Sequence, residues 1–195
     1  IADGRQCHGV GGDCRGSGSE LAAGETILRL EGAVADLQAV WKTAQTLMEY
    51  LSGIATSTAA IVAAAARGDP GASVVCTRKN FPGTKAAAVK AIVSGGARPH
   101  RLSLSETLLV FAEHRAFLGA EAPAATVQRL RRHWPERAVV VEVGDEAEAA
   151  LWLAAGADVL QLEKLPPEAV ARVVARAAAC PRPPAIAAAG GINAG

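Results

Sequence analysis

Several residue types that mark particular classes of protein are scarce in this chain of 195 residues. Aromatic residues make up only 4% and there is a single methionine, although half of the residues are apolar. Alanine and valine supply most of that apolar content, so helices and strands should pack closely through small side chains. The formal net charge is +1 without any basic block, which argues against nucleic acid as the main partner.

Long uncharged runs are scarce too. The longest, from Tyr50 to Ala66, is interrupted by serine, threonine and glycine and falls short of the roughly 20 apolar residues of a membrane span. We therefore expect no membrane partner. No signal-peptide pattern opens the chain, and the spacing of Cys7, His8 and Cys14 fits no zinc template. Widely scattered cysteines favour a reduced, cytoplasmic protein.

The first part of the chain has weak patterning. Residues 1–20 are rich in glycine and polar side chains and are interpreted as a loop or as the stump of a truncated domain. Alternation over 26–30 predicts a strand that ends at Gly32. A helix is predicted from about Ala33 to Leu51, with an apolar stripe that includes Trp41 and a polar stripe that includes Lys42.

From residue 74 onward, short apolar runs alternate with amphipathic helical periods. Strands that are apolar throughout are typical of parallel sheets covered on both faces, so the pattern predicts an α/β fold and part of an α/β barrel. The predicted strands are 74–77, 107–112, 138–143, 158–162 and 184–188, and the predicted helices are 82–94, 122–133, 145–155 and 166–179.

Charged side chains follow three of these strands. Arg78 and Lys79 come directly after the first, Glu142 ends the third, and Glu163 follows the fourth. Because the carboxyl ends of parallel strands share one edge, cations and paired carboxylates there can bind an anionic substrate, Mg²⁺ or ribose hydroxyls. The alternative is two cations on a solvated loop and two acids that cap the following helices.

Two further segments suit anions. Gly190 and Gly191 lie at a strand-to-helix junction, where bare backbone N–H groups can approach a phosphate, although many ordinary turns also need glycine. His100 and Arg101 follow a predicted loop, and an arginine fork suits a carboxylate. An arginine in a surface loop is the alternative.

These motifs, in their order and spacing, resemble the quinolinate (nicotinate-nucleotide) phosphoribosyltransferase family from about Gly18 to the C-terminus. The matching segments are 52–56, 77–79, 82–83, 95–96, 100–101, 104, 141–143, 156–158 and 189–192. Details at 41–42, 81, 104–107 and 111–114 are similar to the ModD subgroup of that family, named for its association with molybdate-transport genes.

The resemblance implies an α/β sandwich domain followed by an incomplete α/β barrel. By that comparison we expect residues 21–66 to be the remainder of the N-terminal domain with its connecting helix. Residues 67–195 would then be a partial barrel whose C-terminal units are missing.

The resemblance also implies roles for the charged residues. Lys79 would neutralise pyrophosphate, and Glu142 and Glu163 would contact the ribose of phosphoribosyl pyrophosphate and its Mg²⁺. The loop of Ala189, Gly190 and Gly191 would hold the 5′-phosphate. The residues expected to bind the second substrate are Lys42, Arg78, His100, Arg101 and Phe111, with Lys42 acting across a homodimer or larger assembly.

Five positions depart from the family pattern. Phe111 and Ala112 replace a lysine–aspartate pair, Lys42 replaces an arginine, Glu163 replaces an aspartate, and Ala189 replaces a serine. Losing one cation and exchanging another weakens a site for a dianionic pyridine acid. We therefore expect a Mg²⁺-dependent pyrophosphorylase that joins phosphoribosyl pyrophosphate to another small aromatic base. The alternatives are a quinolinate phosphoribosyltransferase and a non-catalytic accessory of molybdate uptake.

Overall fold

The computed structural model describes residues 10–194, and for Val10 and Gly11 it describes the backbone only. The predicted loop at 1–9, with Cys7 and His8, lies outside the described residues. Internal contacts divide the chain into two compact units, which meet in sequence between His100 and Arg101. The domain boundaries predicted from the sequence, at 20/21 and 66/67, stay predictions.

The first unit begins with an antiparallel pair of strands, β1 (Val10–Cys14) and β2 (Leu28–Gly32). The prediction of a loop over residues 1–20 is therefore wrong for β1. Glycine at position 12 permits the pairing, because a Cβ atom there would collide with the backbone carbonyl of Arg29. A glycine-rich strand shows little alternation of side chains, which is why its sequence resembles a loop.

Helix α1 follows as Val34–Gly68 and is much longer than the predicted helix that ended at Leu51. Ser52 and Gly53 do not interrupt it, because the alanine-rich segment beyond them favours helix strongly. Leu51 and Thr58 are its buried residues. By length and composition alone α1 could also cross a membrane, a test that core helices of other proteins pass as well.

The rest of the first unit is a short parallel pair with a helix between its strands. Strand β3 (Val75–Cys76) pairs with β4 (Arg98–Pro99), which had been predicted as loop. Helix α2 spans Lys85–Ser94. Pro82 was predicted to begin this helix, but it lies in the preceding turn.

The second unit is built of successive strand–helix repeats. Its strands β5 (Leu108–Val110), β6 (Val139–Val143), β7 (Val159–Glu163) and β8 (Ala185–Ala189) form one parallel sheet in that order. The helices are α3 (Ala112–Arg115), α4 (Pro123–His133), α5 (Glu146–Ala155) and α6 (Pro167–Ala178). The α/β prediction is confirmed, and the sheet does not close into a barrel. The predicted strand 107–112 is clearly too long, because α3 begins at Ala112, and the predicted strand 74–77 of the first unit is also longer than β3.

The core of the second unit lies on one face of this sheet. Alternate residues of β6 and β7, among them Val141 and Leu160, are fully buried there. They pack with side chains of the three long helices, including Val127, Trp152 and Val173. Because side chains alternate along a strand, the residues between these apolar positions point to the opposite face.

Two glycines of the first unit should respond oppositely to alanine. A Cβ atom at Gly95 would lie 2.5 Å from the carbonyl oxygen of Ala55 and 2.6 Å from Cβ of Thr58. Gly95→Ala should therefore destabilise the protein by about 1–3 kcal/mol through overpacking. Gly53, inside α1, has nothing within 4 Å of its Cβ position, so Gly53→Ala should stabilise by about 0.5–1 kcal/mol.

Urea unfolding followed by circular dichroism measures both changes. A Gly95→Ala variant as stable as Gly53→Ala would contradict the close approach of α1 to the end of α2.

Candidate active site

Two carboxylates share one face and one end of the parallel sheet. Glu142 is the fourth residue of β6, and Glu163 is the last residue of β7. In the ladder Glu142 pairs with Gln161, which lies two residues before Glu163 and therefore on the same side of the sheet. This is the face opposite the apolar core. Because the valines and leucines of both strands are buried on the core face, the two acids project together from the other face.

The electrostatic setting of Glu142 disfavours its charge. Its pKa is raised, first by burial and then by the negative charges of Glu163 and Glu113. A hydrogen bond of 2.7 Å from Nε2 of Gln161 to its Oε2, together with the charge of Arg115, acts in the opposite direction. A cation beside the two acids would relieve their repulsion.

Arg115 fixes the backbone at the end of β6. Its Nη1 donates to the carbonyl oxygen of Glu142 at 2.5 Å, and its Nη2 donates to Oε1 of Glu148 at 3.0 Å. The other oxygen of Glu148 accepts from the backbone N–H of Gly144 at 3.0 Å. The turn that follows Glu142 is thus tied to α3 and α5, and it holds the carboxylate-bearing residue in place.

The glycine loop lies directly against Glu163. Strand β8 ends at Ala189, which is the ladder partner of Glu163. Gly190 and Gly191 follow with φ of 80° and 75°, a region that favours glycine. A Cβ atom on Gly190 would lie 2.7 Å from Oε1 of Glu163. Position 190 therefore needs glycine for two reasons, its backbone conformation and the carboxylate above it.

Phe111 lies at the same edge of the sheet. It follows β5, whose Val110 pairs with Val141, so Phe111 stands level with Glu142. Its N–H donates to Nδ1 of His114 at 3.1 Å, and the two rings lie 5.4 Å apart. His114 thus caps the short helix α3. Arg101, the first residue of this unit, is buried.

Lys79 lies in the first unit, at the wall of an open cleft of about 730 Å³. The loop after β3 contributes Lys79, Asn80 and Phe81, while α1 and α2 supply the other walls with residues such as Tyr50 and Ile92. Arg78 and Lys79 are both exposed. A cleft with aromatic walls and a few polar groups is suited to a small flat molecule.

Lys42 and His100 also belong to the first unit. The ammonium of Lys42 lies 4.4 Å from the centre of the Trp41 ring and donates to Oε1 of Gln45 at 3.1 Å. Gln45 in turn donates to Glu49 at 2.8 Å. The predicted polar stripe of α1 is therefore a hydrogen-bonded row, and its placement at a neighbouring subunit stays a prediction.

The structure brings Phe111, Glu142, Glu163 and the loop 189–191 together at one edge of the second unit. Sequence reasoning missed Gln161 and Arg115. Gln161 could have been found, since it lies two residues before Glu163 in a predicted strand. Arg115 could not have been found, because its partners Glu142 and Glu148 lie far from it in the sequence. Over residues 10–194 there is no cluster of three or more His, Cys, Asp or Glu side chains that could hold a metal ion by itself.

The raised pKa of Glu142 predicts a gain in stability when its charge is removed. A carboxyl whose pKa is higher in the folded state than in the unfolded state opposes folding once it ionises. Glu142→Gln should therefore raise the thermal midpoint at pH 7. The advantage should shrink as the pH falls through the pKa of Glu142, because the wild type then becomes neutral too.

Thermal unfolding from pH 7 to pH 4 checks this, with Glu146→Gln as control. The pKa of Glu146 is lowered by its hydrogen bond with Arg172, so its neutralisation should destabilise the protein at pH 7. An equal effect of the two variants would contradict the assignment.

Comparison with known proteins places this chain in a family. The family described as "Quinolinate phosphoribosyl transferase, C-terminal domain" matches residues 54–195. A Rhodobacter capsulatus protein named "Putative pyrophosphorylase ModD" is 55% identical over 82% of this chain and 61% of its own length. An Archaeoglobus fulgidus protein named "Probable nicotinate-nucleotide pyrophosphorylase", carboxylating, is 34% identical over 80% of this chain and 59% of its own length.

A solved structure agrees with these sequence matches. The crystal structure of NadC from Streptococcus pyogenes has a TM-score of 0.83 and 28% identity, and the match covers 95% of this chain and 64% of that protein. The chain thus spans less than two thirds of the length of these relatives. It belongs to the quinolinate phosphoribosyltransferase family and, within it, to the ModD-like subgroup.

Proposed function

We propose that the protein is a Mg²⁺-dependent phosphoribosyltransferase of the pyrophosphorylase type, with phosphoribosyl pyrophosphate as donor and a small aromatic nitrogen base as acceptor. The observation that carries the proposal is the pair Glu142 and Glu163 on one sheet face, with the Gly190–Gly191 loop in contact with Glu163. Family membership supports it, since these relatives carry the name pyrophosphorylase.

The donor suits this edge of the sheet. Ribose hydroxyls are good donors to Glu142 and Glu163, and the glycine loop offers backbone N–H groups to a 5′-phosphate. As the bond from the anomeric carbon to pyrophosphate breaks, positive charge develops on the ribose ring. Carboxylates fixed beside that carbon stabilise the charge, and they need no rearrangement during the reaction.

The acceptor completes the reaction. A ring nitrogen attacks the anomeric carbon with its lone pair, and pyrophosphate leaves with the electrons of the broken bond. In this proposal Lys79 neutralises the departing pyrophosphate from the loop after β3. Arg78, His100, Arg101 and Lys42 orient the acceptor, the last from a second subunit.

Mg²⁺ fits the chemistry of the donor set. The ion prefers carboxylate oxygens and keeps several water or phosphate ligands, so Glu142 and Glu163 would hold it without a third protein ligand. When bound, it supplies positive charge to the phosphate oxygens of the donor. The raised pKa of Glu142 supports this placement, because a bound cation would stabilise the ionised carboxylate.

The acceptor carries less negative charge than quinolinate. Phe111 stands level with Glu142 and offers an aromatic wall where a cation could have met a carboxylate. Lys42 keeps a positive charge but lacks the planar fork of an arginine. A neutral or singly charged aromatic base matches this environment better. The proposed enzyme is cytoplasmic and assembles at least as a dimer.

The central test measures pyrophosphate release by the full-length protein with phosphoribosyl pyrophosphate, Mg²⁺ and a panel of pyridine and purine bases. Release with one base, and its loss on chelation of Mg²⁺, is the expected result. Lys79→Met should lower that rate about 10²-fold or more, as expected for a group that meets charge in the transition state. Lys90→Met is the matched control, because Lys90 is an exposed lysine of α2.

Tight binding of the donor without release for any base would instead favour a ligand-binding accessory of molybdate uptake. A Lys79→Met variant with the activity of Lys90→Met would remove Lys79 from the proposed mechanism.

Quinolinate itself should be a poor acceptor, for reasons local to Phe111 and Lys42. Phe111→Lys with Lys42→Arg should raise quinolinate turnover more than either change alone, because both side chains would contact one ligand. The measurement is nicotinate mononucleotide formed from quinolinate by the wild type and the three variants. Wild-type turnover equal to that of a nicotinate-nucleotide pyrophosphorylase would establish the alternative function.

A further inference from the structure

Lys164 is unusual in its backbone. Over residues 10–194 it is the one non-glycine residue with positive φ, at 56°. Residues with a Cβ atom avoid this region, and where it occurs the surrounding structure must impose it. Here the N–H of Lys164 donates to the carbonyl oxygen of Ala189 at 2.7 Å, which fixes the residue beside the glycine loop.

The side chain of Lys164 extends over that loop. A Cβ atom on Gly190 would lie 2.5 Å from Cγ of Lys164, so the methylene stem and the glycine are in close contact. The ammonium lies 3.6 Å from Oε1 of Glu163, and the side chain is 75% exposed. At that distance the pair is too long for a direct hydrogen bond, and exposed ion pairs contribute little to stability. Stability therefore does not explain why a lysine occupies this strained position.

In the absence of a bound metal ion, the local charge calls for a cationic side chain beside any phosphate bound here. Glu163 and Glu142 point to this face, and their field repels a phosphate dianion. Arg115 is nearby, but its guanidinium already donates to Glu142 and Glu148. The N–H groups of Gly191 and Ile192 donate to no backbone carbonyl within residues 10–194, so they are open to an acceptor.

We propose that Lys164 is a phosphate-binding residue, whose ammonium turns from Glu163 to the phosphate monoester of the ribose substrate at the Gly190–Gly191 loop. This inference rests on the proposed function for its choice of ligand. The backbone conformation of Lys164 and the contact of its Cγ with Gly190 place the side chain beside the loop. Lys164 thereby offsets the negative charge that Glu142 and Glu163 contribute to the same edge.

The test separates charge from backbone conformation. Asparagine tolerates positive φ better than most residues, so Lys164→Asn removes the cation without added strain. Lys164→Arg keeps the cation, and Lys90→Asn removes a lysine from α2 as control. Titration calorimetry with ribose 5-phosphate as the probe, and with ribose for comparison, measures the affinity of each variant of the full-length protein.

We expect Lys164→Asn to weaken ribose 5-phosphate binding about tenfold or more, the effect of losing one charge-assisted contact. Lys164→Arg should stay within about threefold of the wild type, and Lys90→Asn should not change the affinity. Ribose binding should not depend on residue 164. The thermal midpoint of Lys164→Asn should equal or exceed that of the wild type, which excludes misfolding as the cause.

Two results would overturn the inference: a Lys164→Asn variant that binds ribose 5-phosphate as tightly as the wild type, or a wild type that does not bind this probe at millimolar concentration. Failure of the proposed function looks different. If the protein binds ribose 5-phosphate through Lys164 but releases no pyrophosphate with any base, the phosphate site is supported and the transferase function is not.

Discussion

Burial of one face of the parallel sheet beneath α4, α5 and α6 sets the geometry of everything else in the second unit. Val139, Val141 and Val143 of β6 are almost inaccessible to solvent, as are Leu160 and Leu162 of β7. A slip of one residue in either strand would expose this apolar set and bury the residues between. The hydrophobic effect therefore fixes the register, and the register in turn places Glu142 beside Gln161 and two residues from Glu163.

The same constraint creates the electrostatic tension of the site. Once the register is fixed, two acids share a partly buried face, and the pKa of Glu142 rises as a result. Gln161 and Arg115 moderate this cost without removing it, since one donates to the carboxylate and the other to the carbonyl oxygen of Glu142. Repulsion of this kind between neighbouring carboxylates is typical of sites that bind a cation or a polar ligand. Burial of the apolar face stabilises the fold, and this stability tolerates the repulsion between the two acids on the polar face.

The sequence predicted those parts of the fold that periodicity determines. Strands β6, β7 and β8 were located to within about one residue, because each is a largely apolar run bounded by turns. Prediction failed where local pattern and tertiary context disagree. The predicted helix ended at Leu51, yet α1 continues through Gly53 because the alanines beyond it outweigh one glycine. Strand β1 contains two glycines, and β4 consists of two residues ending in a proline, so neither has a pattern that could be found.

The candidate site divides in the same way. Glu142, Glu163 and the glycine pair could be predicted, since each follows a strand and all parallel strands end at one edge. Gln161 could have been inferred from alternation, but the positive φ of Lys164 could not, because lysine has no preference for that conformation. In a sequence, Lys164 is simply a lysine after a strand. Its position at the loop depends on a backbone hydrogen bond to Ala189, which lies 25 residues further along the chain.

The charges of the described site also constrain the acceptor of the proposed reaction. In the second unit, Arg115 is engaged in holding the end of β6, and Phe111 presents a ring level with Glu142. In the proposed reaction a dianionic acceptor would therefore meet two acids and an apolar wall at this edge, which raises the cost of desolvating its carboxylates. An acceptor with a flat, largely neutral ring loses little on leaving water and can contact Phe111 through its face. Under the proposed function, the departure from a quinolinate-type site thus lies in which anions can be desolvated there, while the carboxylates and the glycine loop would serve the phosphorylated ribose.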